Sequence, residues 1–223
     1  MTQIPLPIDW SERGEAGRLL MTTANADAIA LLRAWRLWPS PTTLLVGPAR
    51  SGRSLIGRLF AAESGGDLVD DADLADETRL FNLWNLARDS GRPLLLIARE
   101  APPLWAITLP DLRTRLATAA VARIAAPDEA VASALIAHGL ERAGSAFAPG
   151  MAEFVARRVT RCYETIDKVI EALNAESLAS GRKLTVASAR AVLGTAGLLA
   201  DEETTESLEA IESDMDEGPQ TRG

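Results

Sequence analysis

The sequence predicts an α/β fold in which a parallel sheet with crossover helices is followed by an all-helical region. Residues 17–126 alternate short apolar runs with amphipathic stretches, a pattern typical of parallel strands joined by helices. Residues 127–198 keep only the helical spacing of apolar side chains. The 223 residues, 47% of them hydrophobic and 24% charged, suit one such domain with a small helical appendage and are too few for two full-sized enzymes.

The first region contains four apolar runs and three amphipathic stretches. The first amphipathic stretch ends at Pro39, and the third ends before Gly91 and Pro93, because these residue types interrupt a helix. Buried strands are predicted at residues 43–46, 68–69, 94–97 and 122–125, and helices at about residues 25–38, 54–62 and 76–89.

The last third of the chain predicts four helices that form a small bundle. Pro127 and Asp128 open the first helix, and Pro149 opens the second. The third carries apolar residues at helical spacing from Tyr163 onward, and Thr185 can cap the fourth. We therefore expect a helical subdomain over residues 127–198.

The two ends of the chain differ in composition from the rest. Residues 1–16 contain Pro and Gly without a helical period, which predicts an extended arm. Residues 199–223 carry nine acidic residues and one base, which accounts for the whole net charge of −8. So acidic a segment predicts disorder. The neutral remainder lacks the basic stripe of nucleic-acid binders, so we expect no direct sequence-specific contact with nucleic acid.

Cysteine usage and hydropathy indicate the cellular compartment. Cys162 is the only cysteine, so no internal disulfide can form and a reducing compartment is expected. No apolar run approaches the roughly 18 residues that a membrane span needs. The first ten residues lack the features of a signal peptide. These observations predict a cytoplasmic protein without a membrane partner.

A phosphate-binding motif lies between the first predicted strand and the following helix. Residues 47–54 match the pattern GxxxxGKS with arginine in place of lysine. In such a loop the backbone amides and the helix N-terminus face a phosphate, and the final hydroxyl can hold Mg²⁺. The alternative is an ordinary glycine-rich turn. The candidate nucleotide-binding residues, for ADP or ATP, are Gly47, Ser51, Gly52, Arg53 and Ser54.

Two carboxylates end the second predicted strand, which we expect to neighbour the strand before the phosphate loop. Asp70 and Asp71 are candidates, together with Ser54, for holding Mg²⁺ and its water shell. Adjacent aspartates can also be a solvated entry to a helix, and that interpretation stays open.

Several motifs together make the chain resemble a known family. In their order and spacing they resemble an AAA+ module of the kind found in the replication initiator DnaA. More narrowly, the chain is similar to the Hda family of regulators that inactivate that initiator. The resemblance covers about residues 2–197 and implies an AAA+ parallel-sheet core with a helical lid. The stretches that carry it are residues 3–7, 24–26, 35, 38–39, 47–54, 101–103, 109–116 and 182–185.

The resemblance implies that the N-terminal arm binds the replication sliding clamp. Gln3, Ile4, Leu6 and Pro7 match the family's N-terminal motif, which docks in a hydrophobic pocket of the clamp. An extended arm that contains proline loses little additional conformational entropy when it binds in a groove. Without the family match, a short terminus that merely contains Pro and Leu would be the simpler interpretation.

The resemblance also implies that Arg115 is an arginine finger. A guanidinium can neutralise charge on the γ-phosphate of ATP held by a neighbouring subunit, which in this family is DnaA. Arg113 lies two residues earlier, and the alternative for Arg115 is a surface ion pair with Asp111. The expected partners are the sliding clamp, DnaA and, through the same face, a second copy of the chain.

Three departures from the family pattern weaken the prediction of hydrolysis by the chain itself. Arg53 replaces the loop lysine, Ala98 stands where a polar sensor is usual, and Glu164 replaces an arginine that reads phosphate, although Arg161 lies one turn earlier. We therefore expect weak or absent intrinsic hydrolysis. The predicted function is clamp-dependent stimulation of DnaA-bound ATP hydrolysis, which prevents over-initiation. A self-contained P-loop ATPase and a non-hydrolysing adaptor remain alternatives.

Overall fold

The computed structural model describes residues 19–200. The predicted arm and nearly all of the predicted acidic tail lie outside these residues. The chain divides into two compact units between Ala126 and Pro127. Within residues 19–200 the first unit holds the sheet, and the second is made of helices with one isolated β-bridge between Phe147 and Leu184.

The first unit is built on a sheet of four parallel strands, in the spatial order β2-β3-β1-β4. The predicted fold class, a parallel sheet with crossover helices and a helical C-terminal region, is confirmed. The predicted adjacency of the aspartate-bearing strand to the strand before the phosphate loop is wrong, because β3 pairs with both and separates them. Spatial order depends on where each crossover returns to the sheet, which local sequence does not record. The strands are β1 Thr42–Val46, β2 Asp67–Val69, β3 Leu94–Ala98 and β4 Ala120–Arg123.

Helices cover both faces of the sheet, which is why all five residues of β1 and of β3 are buried. Leu44 and Leu96 belong to a core cluster with residues of α3 and α4. Ile97, the next residue along β3, points to the other face and lies against Gly57 of α2. The helices of this unit are α1 Ala26–Arg33, α2 Arg53–Ser64, α3 Glu77–Ser90 and α4 Pro110–Ala117.

The predicted bounds of two elements need correction. The first helix ends at Arg33, and a separate 3-10 turn follows over Trp35–Leu37. Strand β4 begins and ends two residues earlier than predicted, because its pairing stops opposite Val46, the last residue of β1. Ile124 stays close to the sheet beyond that point, and its N–H donates to the Val46 carbonyl over 2.8 Å. The run of apolar residues in the sequence therefore extends beyond the last paired residue of the strand.

The second unit is a bundle of four helices around its own apolar core, as predicted. The Asp128 carboxylate caps the first helix by accepting the Val131 N–H over 2.7 Å. Thr185 and Ser188 form a reciprocal capping box at the start of the last. Its helices are α5 Glu129–Arg142, α6 Met151–Ala156, α7 Tyr163–Ser180 and α8 Val186–Thr195.

Candidate functional site

The predicted phosphate loop connects the end of β1 to the start of α2. Arg50 and Gly52 both have positive φ, of 63° and 85°. Gly52 is the N-cap of α2, and no side chain caps the helix there. The first amides of a helix have no partner within the helix. At α2 these amides therefore point towards the loop, together with the positive end of the helix dipole. This arrangement suits an anion such as phosphate.

Gly47 is required by the close approach of the loop to the end of β4. A Cβ at this position would lie 2.9 Å from the Cβ of Ile124 and 2.9 Å from its carbonyl oxygen. Real Cβ atoms essentially never come so close to other atoms. A side chain at position 47 would therefore push the start of the loop away from the sheet.

Ser51 supplies a buried hydroxyl inside the loop. The residue is 8% exposed, and its Oγ has no hydrogen-bond partner among residues 19–200. The same oxygen lies 3.4 Å from the position that a Cβ on Gly47 would take. Buried hydroxyls are normally satisfied, so an orphaned one marks a place where a polar ligand fits. The loop thus fits a phosphate group by two independent criteria, its uncapped amides and this hydroxyl.

Arg53 and Ala98 lie together at the end of β3. A guanidinium nitrogen of Arg53 donates to the Ala98 carbonyl oxygen. Ala98 is 1% exposed and offers no polar side chain. The loop arginine is thus directed across the end of the sheet, where it retains further N–H donors for a phosphate. Sequence reasoning missed this bond because 45 residues separate the two groups.

The aspartates after β2 are exposed and lie apart from the phosphate loop. The Asp71 N–H donates to Asp70 Oδ1 over 3.0 Å, and Asp71 has a positive φ of 49°. Because β3 lies between β2 and β1, about 10 Å separates the aspartate strand from the loop strand. Among residues 19–200, no cluster of three acidic, histidine or cysteine side chains could hold a metal. The Mg²⁺ site predicted at Ser54, Asp70 and Asp71 stays a prediction.

Arg115 lies near the end of α4, just before β4 begins. Its Nη1 donates to Asn85 Oδ1 over 2.5 Å, and its guanidinium carbon lies 4.5 Å from the centroid of the Phe81 ring. Both partners belong to α3. Arg115 is half-buried, whereas Arg113 is exposed. The guanidinium of Arg115 thus contacts α3, and the alternative ion pair with Asp111 does not describe its surroundings.

The parallel sheet places Arg115 at the opposite edge from the phosphate loop of the same chain. The loop follows the carboxyl end of β1, while α4 ends just before the amino end of β4. A strand of five residues spans about 16 Å. Arg115 therefore lies at the other end of the sheet from the phosphate loop of its own chain.

Glu77, which sequence reasoning missed, fixes the segment that starts α4. Its carboxylate accepts the N–H and the hydroxyl of Thr108, over 2.9 and 2.8 Å, and the N–H of Leu109 over 2.6 Å. These hydrogen bonds to the charged form lower the pKa of Glu77. Nothing in the local sequence near Glu77 indicates these partners, which lie about 30 residues away.

The remaining predicted residues fall in the second unit or outside the described part of the chain. Glu164 is exposed in the first turn of α7, and Arg161 is exposed just before that helix. The predicted clamp-binding residues Gln3, Ile4, Leu6 and Pro7 lie outside residues 19–200.

Comparisons with known proteins show which fold this is. No family model matches the chain. An uncharacterised protein of Haemophilus influenzae is 29% identical over 119 residues, and the match covers 52% of this chain. It covers 51% of that protein, so the chain spans about half the length of this curated relative.

Solved structures match more of the chain. Domain III of the replication initiation protein DnaA from Thermotoga maritima matches with a TM-score of 0.68 at 15% identity, over 86% of this chain and 98% of that one. AMPPCP-bound DnaA from Aquifex aeolicus matches with a TM-score of 0.60 at 11% identity, over 72% and 64%. Thermotoga maritima RuvB matches with a TM-score of 0.56 at 12% identity, over 86% and 75%.

The chain has a DnaA-like AAA+ fold. At these identities the similarity concerns the fold and not the activity. None of the helices within residues 19–200 combines the length and the hydrophobicity needed to cross a bilayer.

Proposed function

We propose that the chain is a regulator of bacterial chromosome replication, of the Hda type, that stimulates hydrolysis of DnaA-bound ATP in trans. The observation that carries the proposal is the position of Arg115. This arginine lies at the edge of the sheet opposite its own phosphate loop, which suits action on a neighbouring AAA+ subunit. The fold that carries it matches nearly all of DnaA domain III. Conversion of DnaA to its ADP form would prevent over-initiation.

The chemistry asked of Arg115 is electrostatic. In the transition state of phosphoryl transfer, negative charge spreads over the γ-phosphate oxygens, and a guanidinium placed beside them stabilises it. Arginine suits this role because it keeps its charge and offers paired donors. Its only hydrogen-bonding side-chain partner in the described structure is the neutral amide of Asn85, so the full positive charge remains available.

The chain's own nucleotide site supports binding better than turnover. The loop amides and the Ser51 hydroxyl fit phosphate, and the structural neighbour from Aquifex aeolicus is bound to the ATP analogue AMPPCP. Arg53 is directed to the Ala98 carbonyl, and Ala98 offers no polar side chain at the end of β3. We propose that the site holds ADP or ATP, with Mg²⁺ where water can bridge to the aspartates, and hydrolyses ATP weakly or not at all.

The proposed setting is a DNA-loaded sliding clamp in the cytoplasm. Gln3, Ile4, Leu6 and Pro7 would bind the clamp and bring the AAA+ fold near DnaA. The proposal includes no sequence-specific contact with nucleic acid and no membrane partner. A second copy of the chain could occupy the face that carries Arg115, since subunits with a finger associate head to tail.

Arg115→Ala tests the catalytic part of the proposal. Hydrolysis of ATP on purified DnaA is followed with DNA-loaded clamp and full-length chain. The stimulated rate is expected to fall by about three orders of magnitude, the lower end of the effect of such fingers. Arg113→Ala, an exposed arginine two residues away, is the matched control and should keep the activity. An unchanged rate with Arg115→Ala would leave the non-hydrolysing adaptor as the better description.

Binding to the sliding clamp tests the second part. Full-length chain is compared with the double variant Gln3→Ala/Leu6→Ala on purified clamp, and binding should be lost in the variant. Absence of binding by both chains would contradict the clamp role and make the self-contained ATPase the leading function. That alternative requires measurable turnover of free ATP by the chain alone.

A further inference from the structure

We infer that one face of helix α3, through Glu77, Phe81 and Asn85, positions the Arg115 guanidinium to stabilise charge on the γ-phosphate of a neighbouring nucleotide. The inference rests on the proposed function and adds three positioning residues to it. These side chains are four residues apart, so they lie on the same face of the helix. That face meets both the start and the end of α4.

Glu77 anchors the segment that leads into α4, which has no side-chain cap of its own. The N-cap residue of α4 is Leu109, which has no side-chain acceptor, and Pro110 follows it. The Glu77 carboxylate instead accepts the N–H groups of Thr108 and Leu109 and the Thr108 hydroxyl. Three bonds from one carboxylate fix where α4 begins, and therefore the line along which Arg115 projects.

Phe81 and Asn85 fix the guanidinium itself. The guanidinium carbon lies 4.5 Å from the centroid of the Phe81 ring, a cation–π contact that restricts where the group can lie. Asn85 accepts a single N–H, which ties one guanidinium nitrogen to α3. The other N–H groups of the guanidinium remain available for phosphate oxygens. Since the amide is neutral, it orients the arginine without cancelling its charge.

The hydrogen bond between Arg115 and Asn85 is not needed to pack α4. Leu112 and Leu116 attach that helix to the core and are 0% and 1% exposed. Phe81 packs against the margin of that core as well as against Arg115, whereas Asn85 is a half-buried polar residue outside the cluster. The contact of Asn85 with Arg115 is therefore better explained by the orientation of the charged side chain than by the stability of the fold.

Two variants of Asn85 separate orientation from stability. Asn85→Ala removes the acceptor, and the rate of DnaA-bound ATP hydrolysis at saturating chain should fall about tenfold. Asn85→Asp keeps an acceptor and makes an ion pair with Arg115, so the Tm should be kept or raised. Because the ion pair cancels the charge of Arg115, the rate should fall at least as far as in Asn85→Ala. Both should leave the half-saturating concentration unchanged. An Asn85→Asp variant as active as the wild type would overturn the inference, because a purely structural contact would tolerate it.

Phe81 provides a matched pair. Phe81→Tyr keeps the ring and should keep the rate, whereas Phe81→Leu removes the π face and should lower the rate severalfold. The two variants should bind the DnaA complex equally well. Equal rates in both would contradict the role of the ring.

A measurement independent of activity keeps this inference distinct from the proposed function. The side-chain Nε–H signal of Arg115 in ¹⁵N NMR spectra of the full chain can be assigned by its loss in Arg115→Lys. It should shift in Asn85→Ala and Phe81→Leu. If Arg115→Ala does not affect hydrolysis, the proposed function fails whatever the spectra show. If Arg115→Ala abolishes hydrolysis while neither Asn85→Ala nor Phe81→Leu changes the rate or the signal, the positioning role fails alone.

Discussion

The two edges of the sheet carry charged groups that are held in different ways. At the carboxyl edge, the loop over residues 47–52 is shaped by backbone: positive φ at Arg50 and Gly52, and a close approach at Gly47 that leaves no room for a side chain. At the amino edge, Arg115 is held by side chains of a helix about 30 residues earlier in the chain. A site shaped by backbone depends on its glycines and tolerates other changes. A site shaped by side chains depends on particular partners.

The difference fits the roles proposed for the two edges. The loop arginine donates to a backbone carbonyl at the end of the sheet, whereas Arg115 meets a neutral amide and an aromatic face. The first arrangement is compatible with binding a nucleotide without hydrolysing it. The second keeps a full charge oriented at a surface, which is what action on a partner requires.

Gly47→Ala should produce the largest effect on stability at the carboxyl edge. The new methyl group would meet the Ile124 carbonyl oxygen at 2.9 Å, so the loop or the end of β4 must move. We expect a loss of about 1–3 kcal/mol in the free energy of unfolding, the usual cost of overpacking. Urea unfolding measures it, and binding of ADP should weaken as well because the loop changes shape.

Gly194→Ala is the matched control for this substitution. Gly194 is a helical residue of α8, and the nearest atom to an added Cβ is 3.9 Å away. Alanine has the better helix propensity, so this variant should be as stable as the wild type or more so. A Gly47→Ala variant as stable as Gly194→Ala would contradict the close approach.

Arg53→Ala should lower nucleotide affinity without affecting action in trans. Loss of a charge-assisted hydrogen bond to phosphate is expected to weaken ADP binding about tenfold. Isothermal titration calorimetry measures this, with Arg53→Lys as the variant that keeps the charge. An unchanged affinity in Arg53→Ala would mean that the guanidinium stays with the Ala98 carbonyl and does not contact the nucleotide.

Glu77→Gln should weaken the amino edge in a manner that depends on pH. The pKa of Glu77 is lowered by hydrogen bonds from Thr108 and Leu109 to the charged form. The contribution of these bonds is therefore fully present above the ordinary carboxyl pKa of about 4.3 and is lost as pH falls through the lowered value. In thermal unfolding at pH 7, the Tm of the wild type should be higher than that of Glu77→Gln. This difference in Tm should vanish under strongly acidic conditions. A difference that stays constant with pH would exclude the carboxylate as its source.

Local sequence predicted the carboxyl edge better than the amino edge. The loop motif lies within eight consecutive residues, and its glycines and serine follow directly from the chemistry of phosphate binding. The four strands were found because parallel strands buried on both faces form continuous apolar runs. The predicted strand β4 lies two residues too late in the chain. Ile124 is buried and apolar like a strand residue, but the pairing of β4 with β1 ends at Arg123.

The amino edge depends on contacts between residues far apart in sequence. The four-residue spacing of Glu77, Phe81 and Asn85 is visible in the chain, but nothing local shows that this face meets Arg115. The order of the strands could not be predicted for the same reason. The position of β3 between β1 and β2 depends on how the crossover connections run and not on the sequence of the strand itself. The resemblance to Hda drew attention to Arg115, and only the structure showed what holds it.

Asp70→Asn should have the smallest effect, and this expectation separates the proposed regulator from a self-contained ATPase. In an ATPase, a carboxylate at this strand end organises the metal and the attacking water, so its loss abolishes turnover. Here Asp70 is exposed, its Oδ1 accepts the Asp71 N–H, and β3 separates its strand from the loop strand. Release of phosphate from free ATP should therefore be low in wild type and equally low in Asp70→Asn. Stimulation of DnaA-bound ATP hydrolysis should be the same in both chains. High intrinsic turnover that Asp70→Asn abolishes would make the carboxyl edge the catalytic one and would reverse the roles assigned to the two edges.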